Sequence, residues 1–188
     1  MQRLFISSTV IAVVVVLVWL FIGRGNTGRI EGEEAATSTA TVSSWTWENP
    51  YTFKQLVIPS GWNKVENEQL RDAVLALQHD SGKCLIYITY DESVSNLALA
   101  EYIDAVTPMN QKEFGITEFT KVTGRGAKEI YQAEGAKYMG DSLVGVDIRI
   151  WSDGFNGFWE TVVMTDLEYK TIEYDARELV NVVAETTM

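Results

Sequence analysis

The fold predicted from the sequence is an α+β domain built mainly on an antiparallel sheet and preceded by one transmembrane helix. Three observations predict it. The run 143–151 alternates with the two-residue period of a strand, setting Val144, Val146, Ile148 and Ile150 on one face and Asp147 and Arg149 on the other. Apolar residues within 97–106 and 175–183 instead recur three and four apart, as on one side of a helix. Residues 4–22, LFISSTVIAVVVVLVWLFI, carry no charge and only Ser7, Ser8 and Thr9 as polar interruptions.

A helix over 4–22 rises about 28 Å, close to the ~30 Å hydrocarbon thickness of a bilayer. Backbone amides in lipid must be bonded internally, so such a run crosses as a helix. The apolar stretch is longer than a usual signal-peptide core and no clear small-x-small cleavage site follows it, which favours an anchor retained over 1–22. Arg3 lies before the run and Arg24 and Arg29 after it, so the Lys/Arg count leaves the orientation open. A short amino-terminal tail that stays inside would put the domain on the extracytoplasmic, periplasmic side.

Residues 23–47 are expected to be a flexible polar linker, because Gly, Ser, Thr, Ala and Glu bury too little apolar area to offset the entropy of ordering. A chain of this length and kind reaches roughly 25 Å. The aromatics from Trp45 to Phe53 read as a first strand or a segment clamped onto the domain, with Asn49-Pro50 marking a turn. The globular domain is set at 48–188, about 140 residues, enough for a full core without disulfides.

Within the domain, 51–58 alternates as a strand, Pro59-Ser60-Gly61 ends it, and Trp62 covers the core edge. Residues 66–78 are ambiguous: Leu70, Ala73, Val74 and Leu77 fit a helical stripe, but 73–78 also leads through the turn 80–83 into the strand 84–90. Two strands are the preferred reading. Ser95 or Asn96 caps a helix from Leu97 that carries Leu99, Tyr102, Ile103 and Val106 and closes at Pro108. Strands are expected at 118–122, 128–134, 143–151 and 158–164. A last helix is expected to be capped by Asp175 and Glu178, with Ala176, Leu179, Val180 and Val183 inward.

Phe53, Val57, Ile58, Pro59, Gly61 and Trp62 are similar to an opening F…V-I-P-x-G-W. With the helix, meander and closing helix in that order, 51–187 resembles the PsbP-like α/β/α sandwich family, which includes the DcrB-type bacterial envelope proteins. That resemblance implies a binding or accessory domain, since no catalytic constellation defines the family.

The residues themselves point the same way. A net charge of −11 falls on the domain and disfavours nucleic acid and anionic lipid. His79 is the one histidine and sits at a hairpin end; Cys84 lies five residues on in an apolar strand, so no Ser-His or Cys-His arrangement is expected. No CxxC, HExxH or EF-hand spacing predicts a metal, and Gly124-Arg125-Gly126 reads as a turn rather than a phosphate loop. No cofactor is expected.

The expected function is therefore a non-catalytic accessory subunit that binds protein partners in a larger membrane complex. The candidate contacts are Trp151, Phe155, Phe158 and Trp159, crowded around one turn, and the Trp45–Phe53 segment, within it Trp45 and Trp47. Alternation sends most of these rings inward and leaves Phe155, at the tip, the best candidate for exposure. An envelope-polymer hydrolase using a carboxylate pair, or a small-molecule or lipid-binding module with an apolar pocket, are the alternatives.

Overall fold

The computed structural model describes residues 43–66, 70, 72–92, 94, 96–123, 129–155 and 157–187. The anchor expected at 4–22, most of the linker and the Gly124–Gly126 turn lie outside the described residues. Among the described residues no helix is long and apolar enough to cross a membrane.

The described chain runs β1 (Trp45–Glu48), β2 (Gln55–Ile58), β3 (Trp62–Lys64), β4 (Leu75–His79), β5 (Cys84–Asp91), α1 (Leu99–Phe114), β6 (Thr120–Thr123), β7 (Glu129–Met139), β8 (Ser142–Ser152), β9 (Phe158–Asp166) and α2 (Lys170–Thr186). Seven strands form one antiparallel sheet in the order β3-β4-β5-β9-β8-β7-β6, with β1 and β2 paired as a separate hairpin. The two-strand reading of 73–90 holds: β4 pairs antiparallel with β5, Leu77 opposite Ile86. Trp45, Thr46 and Trp47, expected within the linker, belong instead to β1 and pair with Ile58, Val57 and Leu56.

Both faces of the sheet are covered. On one, Leu85, Tyr87, Val144, Val146, Ile148, Ile150, Phe158, Val162 and Met164 pack beneath Tyr102, Ile103, Val106 and Phe114 of α1. On the other, Ile86, Ile88, Trp151, Trp159 and Val163 pack against Ala176, Leu179, Val180 and Val183 of α2 and against Trp47, Leu56 and Ile58 of the β1–β2 hairpin. The expected inward set of the last helix is therefore the observed one. Each such Val or Leu contributes about 1.5–3 kcal/mol on leaving water.

Two helix boundaries differ from expectation. Pro108 does not close α1; the buried line Tyr102, Val106, Asn110, Phe114 continues past it at four-residue spacing, and Gly115 at φ 64° ends the helix. Packing of that line outweighs the one backbone bond a proline removes. The helix starts after Ala98, whose N–H donates to the Glu101 carboxylate at 3.0 Å, rather than after Asn96. α2 begins at Lys170, five residues before Asp175. Asp166 organises the lead-in instead, accepting from the Glu168 N–H at 3.1 Å and from Lys83 Nζ at 3.0 Å.

Candidate functional site

Two turns meet at one end of the sheet. The first joins β8 to β9 through Ser152-Asp153-Gly154-Phe155. Asp153 is its organiser: Oδ1 accepts from the Phe155 and Gly157 N–H groups at 2.7 and 3.2 Å, and Oδ2 accepts from the Tyr90 hydroxyl at 2.7 Å. An Asp that captures the amides two and four residues on fixes a turn without help from the ladder. Burial, and then the bond to Asp153, hold the Tyr90 hydroxyl well above the ordinary phenol range. Phe155 stands at the tip of this rigid turn, 86 % exposed.

The second turn joins β1 to β2. Asn49 Oδ1 accepts from the Tyr51 and Thr52 N–H groups at 2.9 and 3.3 Å, and the Thr52 hydroxyl donates to the Thr186 carbonyl at the end of α2. The Tyr51 ring lies 4.3 Å from Tyr90 and 5.5 Å from Trp159, with Tyr90 and Trp159 at 4.7 Å, a three-ring cluster joining the two turns. Phe53 follows, 74 % exposed, with a left-handed backbone at φ 58°. Phe155 on one turn and Phe53 and the half-exposed Tyr51 on the other are thus the exposed rings of this end, here termed its aromatic rim, with Asp153 and Glu92 supplying negative charge beside Tyr90.

Of the six expected contact residues, this arrangement leaves only Phe155 fully outside. Trp151, Phe158, Trp159 and Trp47 are core residues, and Trp45 is half-buried with its Nε1–H donating to the Trp62 carbonyl at 3.0 Å. The cause is the two-sided cover of the sheet: β9 is buried along its whole length, so alternation directs Phe158 under α1 and Trp159 towards α2 without giving either a wet face. Trp151 Nε1 likewise donates inward, to the Thr187 hydroxyl at 2.9 Å. Tyr51 and Phe53 belong to the 45–53 segment expected to offer a contact surface, but they are not singled out within it because 51–58 reads as one strand. The signal for them was the turn chemistry of Asn49-Pro50, which holds residues 49–54 out of the ladder.

Other reactive groups are placed as follows. His79 packs edge-on against Trp62 and bonds the Ser81 hydroxyl at 2.9 Å. Cys84 is buried against the Thr165 hydroxyl, and burial pushes its thiol up to about 12, so it is a poor nucleophile. Among the described residues no group of three His, Cys, Asp or Glu could hold a metal ion. Glu160 has the raised pKa, about 7, that a general acid would use, but it is buried beneath α1 with the Asn110 amide against it.

No family model matches the chain, and neither does any curated protein. Solved structures do. The chain is similar to the cyanobacterial PsbP, CyanoP, of Synechocystis sp. PCC 6803, with 10% identity, a TM-score of 0.51, and 78% of this chain and 94% of that one covered. It is also similar to LpqN of Mycobacterium tuberculosis, described as involved in cell envelope biogenesis, with 13% identity, a TM-score of 0.49, and coverage of 65% and 76%. The likeness to CyanoP identifies the fold as PsbP-like.

Proposed function

We propose that this chain is a single-pass membrane-anchored accessory protein whose extracytoplasmic domain holds on to a larger membrane protein assembly through its aromatic rim, without catalysis. The observation that carries the reading is Phe53. A bulky residue in the left-handed region costs about 1–2 kcal/mol, and its ring, being exposed, returns little of that through burial. Strain kept at an exposed ring that does not serve the core is expected where the ring serves a contact. Phe155 is likewise an exposed ring, without the strain, on a turn stiffened by three bonds to Asp153.

The position of the rim favours a protein partner over the bilayer. β1 starts at Trp45, beside Trp62 and the β4–β5 hairpin, and runs toward the rim, so the described chain enters the domain at the opposite end. The rim then lies one strand length, up to 11 residues or roughly 35 Å, from the point where the described chain enters the domain. A partner surface with an apolar pocket ringed by basic groups matches exposed rings beside carboxylates on a domain of net charge −11. Tethering raises the local concentration, so a modest contact is sufficient.

Gentle solubilisation of native membranes, with the full-length protein as bait, tests this reading. A partner retained by the wild-type chain and lost from a chain carrying Phe53→Ala with Phe155→Ala is the expected result. Equal recovery of the same proteins with both chains would reject the rim as the contact surface.

A further inference from the structure

Glu160 sits in β9, the central strand of the seven, with its side chain under α1. Its neighbours across the strands are Thr89 of β5 and Ile150 of β8. From α1, Asn110 reaches it: Nδ2 donates to Oε1 at 3.3 Å, while the enclosed Oδ1 of the same amide has no donor. A carboxylate only accepts, so an ionised Glu160 gives Asn110 Oδ1 nothing. A carboxylic acid carries the missing O–H. It can donate to Oδ1 while its carbonyl oxygen accepts from Nδ2, closing a ring of two hydrogen bonds between acid and amide.

We infer that Glu160 is held as the neutral acid in a closed pair with Asn110, and that this proton latches α1 onto the sheet. The other polar groups around it agree. Tyr87 and Asp91 face it from β5 and Tyr102 from α1, with Asp72 acting on Tyr87 from the segment before β4. The one charge among these that acts on Glu160 is Asp91, which repels its ionised form. The charged residues of β8, Asp147 and Arg149, lie on the α2 face, where Arg149 meets Asn181. Burial pushes the Glu160 carboxyl up to about 7, against the opposing pull of the Asn110 N–H and with a further push from Asp91. Pro108, two residues before Asn110, has no N–H to give the backbone ladder of α1, so the helix lacks one bond beside the latch.

The sign follows from linkage. A carboxyl near 7 when folded and about 4.3 when unfolded binds its proton more tightly in the folded state. The stabilisation is complete below about pH 4, declines as pH rises through 7, and is gone above it. Relative to a Glu160→Gln chain, the folded-to-unfolded ratio falls about 10²- to 10³-fold across that range.

The full-length chain is titrated by following the Glu160 side-chain carbonyl by carbon NMR, assigned through bonds, alongside hydrogen-exchange protection of the α1 amides. A midpoint near 7, with α1 protection falling over the same range in the wild type but not in Glu160→Gln, is the expected result. A midpoint below 5, or α1 protection that tracks pH identically in both chains, overturns the latch. If the Gln chain does not fold, the wild-type carboxyl midpoint decides alone. None of these outcomes depends on the rim or on a partner.

Discussion

Phe53 is the residue at which stability and the proposed contact pull in opposite directions. Replacing it with Gly removes the left-handed strain but adds backbone entropy to the unfolded chain. A net gain of about 0.5–1 kcal/mol is expected, read as a higher denaturation midpoint, together with weaker partner retention. Gly135 makes the contrasting case. A Cβ there would lie 2.7 Å from the Gly115 carbonyl oxygen and from Ile116 Cα, backbone atoms that cannot swing away. Gly135→Ala should therefore cost about 2–3 kcal/mol in denaturation and leave the rim's contacts unchanged. Phe155 was legible in advance because Ser-Asp-Gly-Phe-Asn-Gly is a turn wherever it sits. Gly135 was not, because its constraint comes from the chain bridging back at Ile116, nineteen residues before it in sequence.

Among the elements, α2 is joined to the sheet by charge as well as by its apolar stripe. Asp147, buried on β8, meets Arg149 at 3.1 Å and Arg177 of α2 at 3.3 Å, and Arg177 also reaches Glu134 and Glu173. Neighbouring carboxylates raise the Arg177 pKa even against the lowering effect of its burial, so it is charged throughout the working range. Arg177→Ala should cost about 1–2 kcal/mol, because Arg149 remains to compensate Asp147. An Asp147→Asn, Arg177→Ala double-mutant cycle in denaturant checks that figure; additive losses would show that the pair is uncoupled. Strand periodicity located 84–90 and 143–151 because those runs carry the pattern within themselves. The ends of the helices were misplaced because tertiary contacts set them: Asn110 and Phe114 carry α1 past Pro108, and Asp166, bound to Lys83, starts the turn into α2 well before Asp175.

For the whole molecule, the decisive feature is a sheet covered on both faces, one by α1 and the other by α2 with the β1–β2 hairpin. That cover buries Trp151, Phe158 and Trp159 and, among the described residues, confines exposed aromatics at this end to the two turns. The PsbP-like order of elements was legible from the opening residues 53–62 and the placing of the two helical stripes. Which aromatics stay outside was not, since a strand buried on both sides has no polar face to mark it. A photo-crosslinking residue placed at position 155 of the full-length chain in its native membrane, with one at the exposed Tyr138 on the β7–β8 end as control, tests the central claim most directly. A discrete protein adduct from position 155 that is absent from position 138 is the predicted result; no adduct, or the same adducts from both positions, would contradict it.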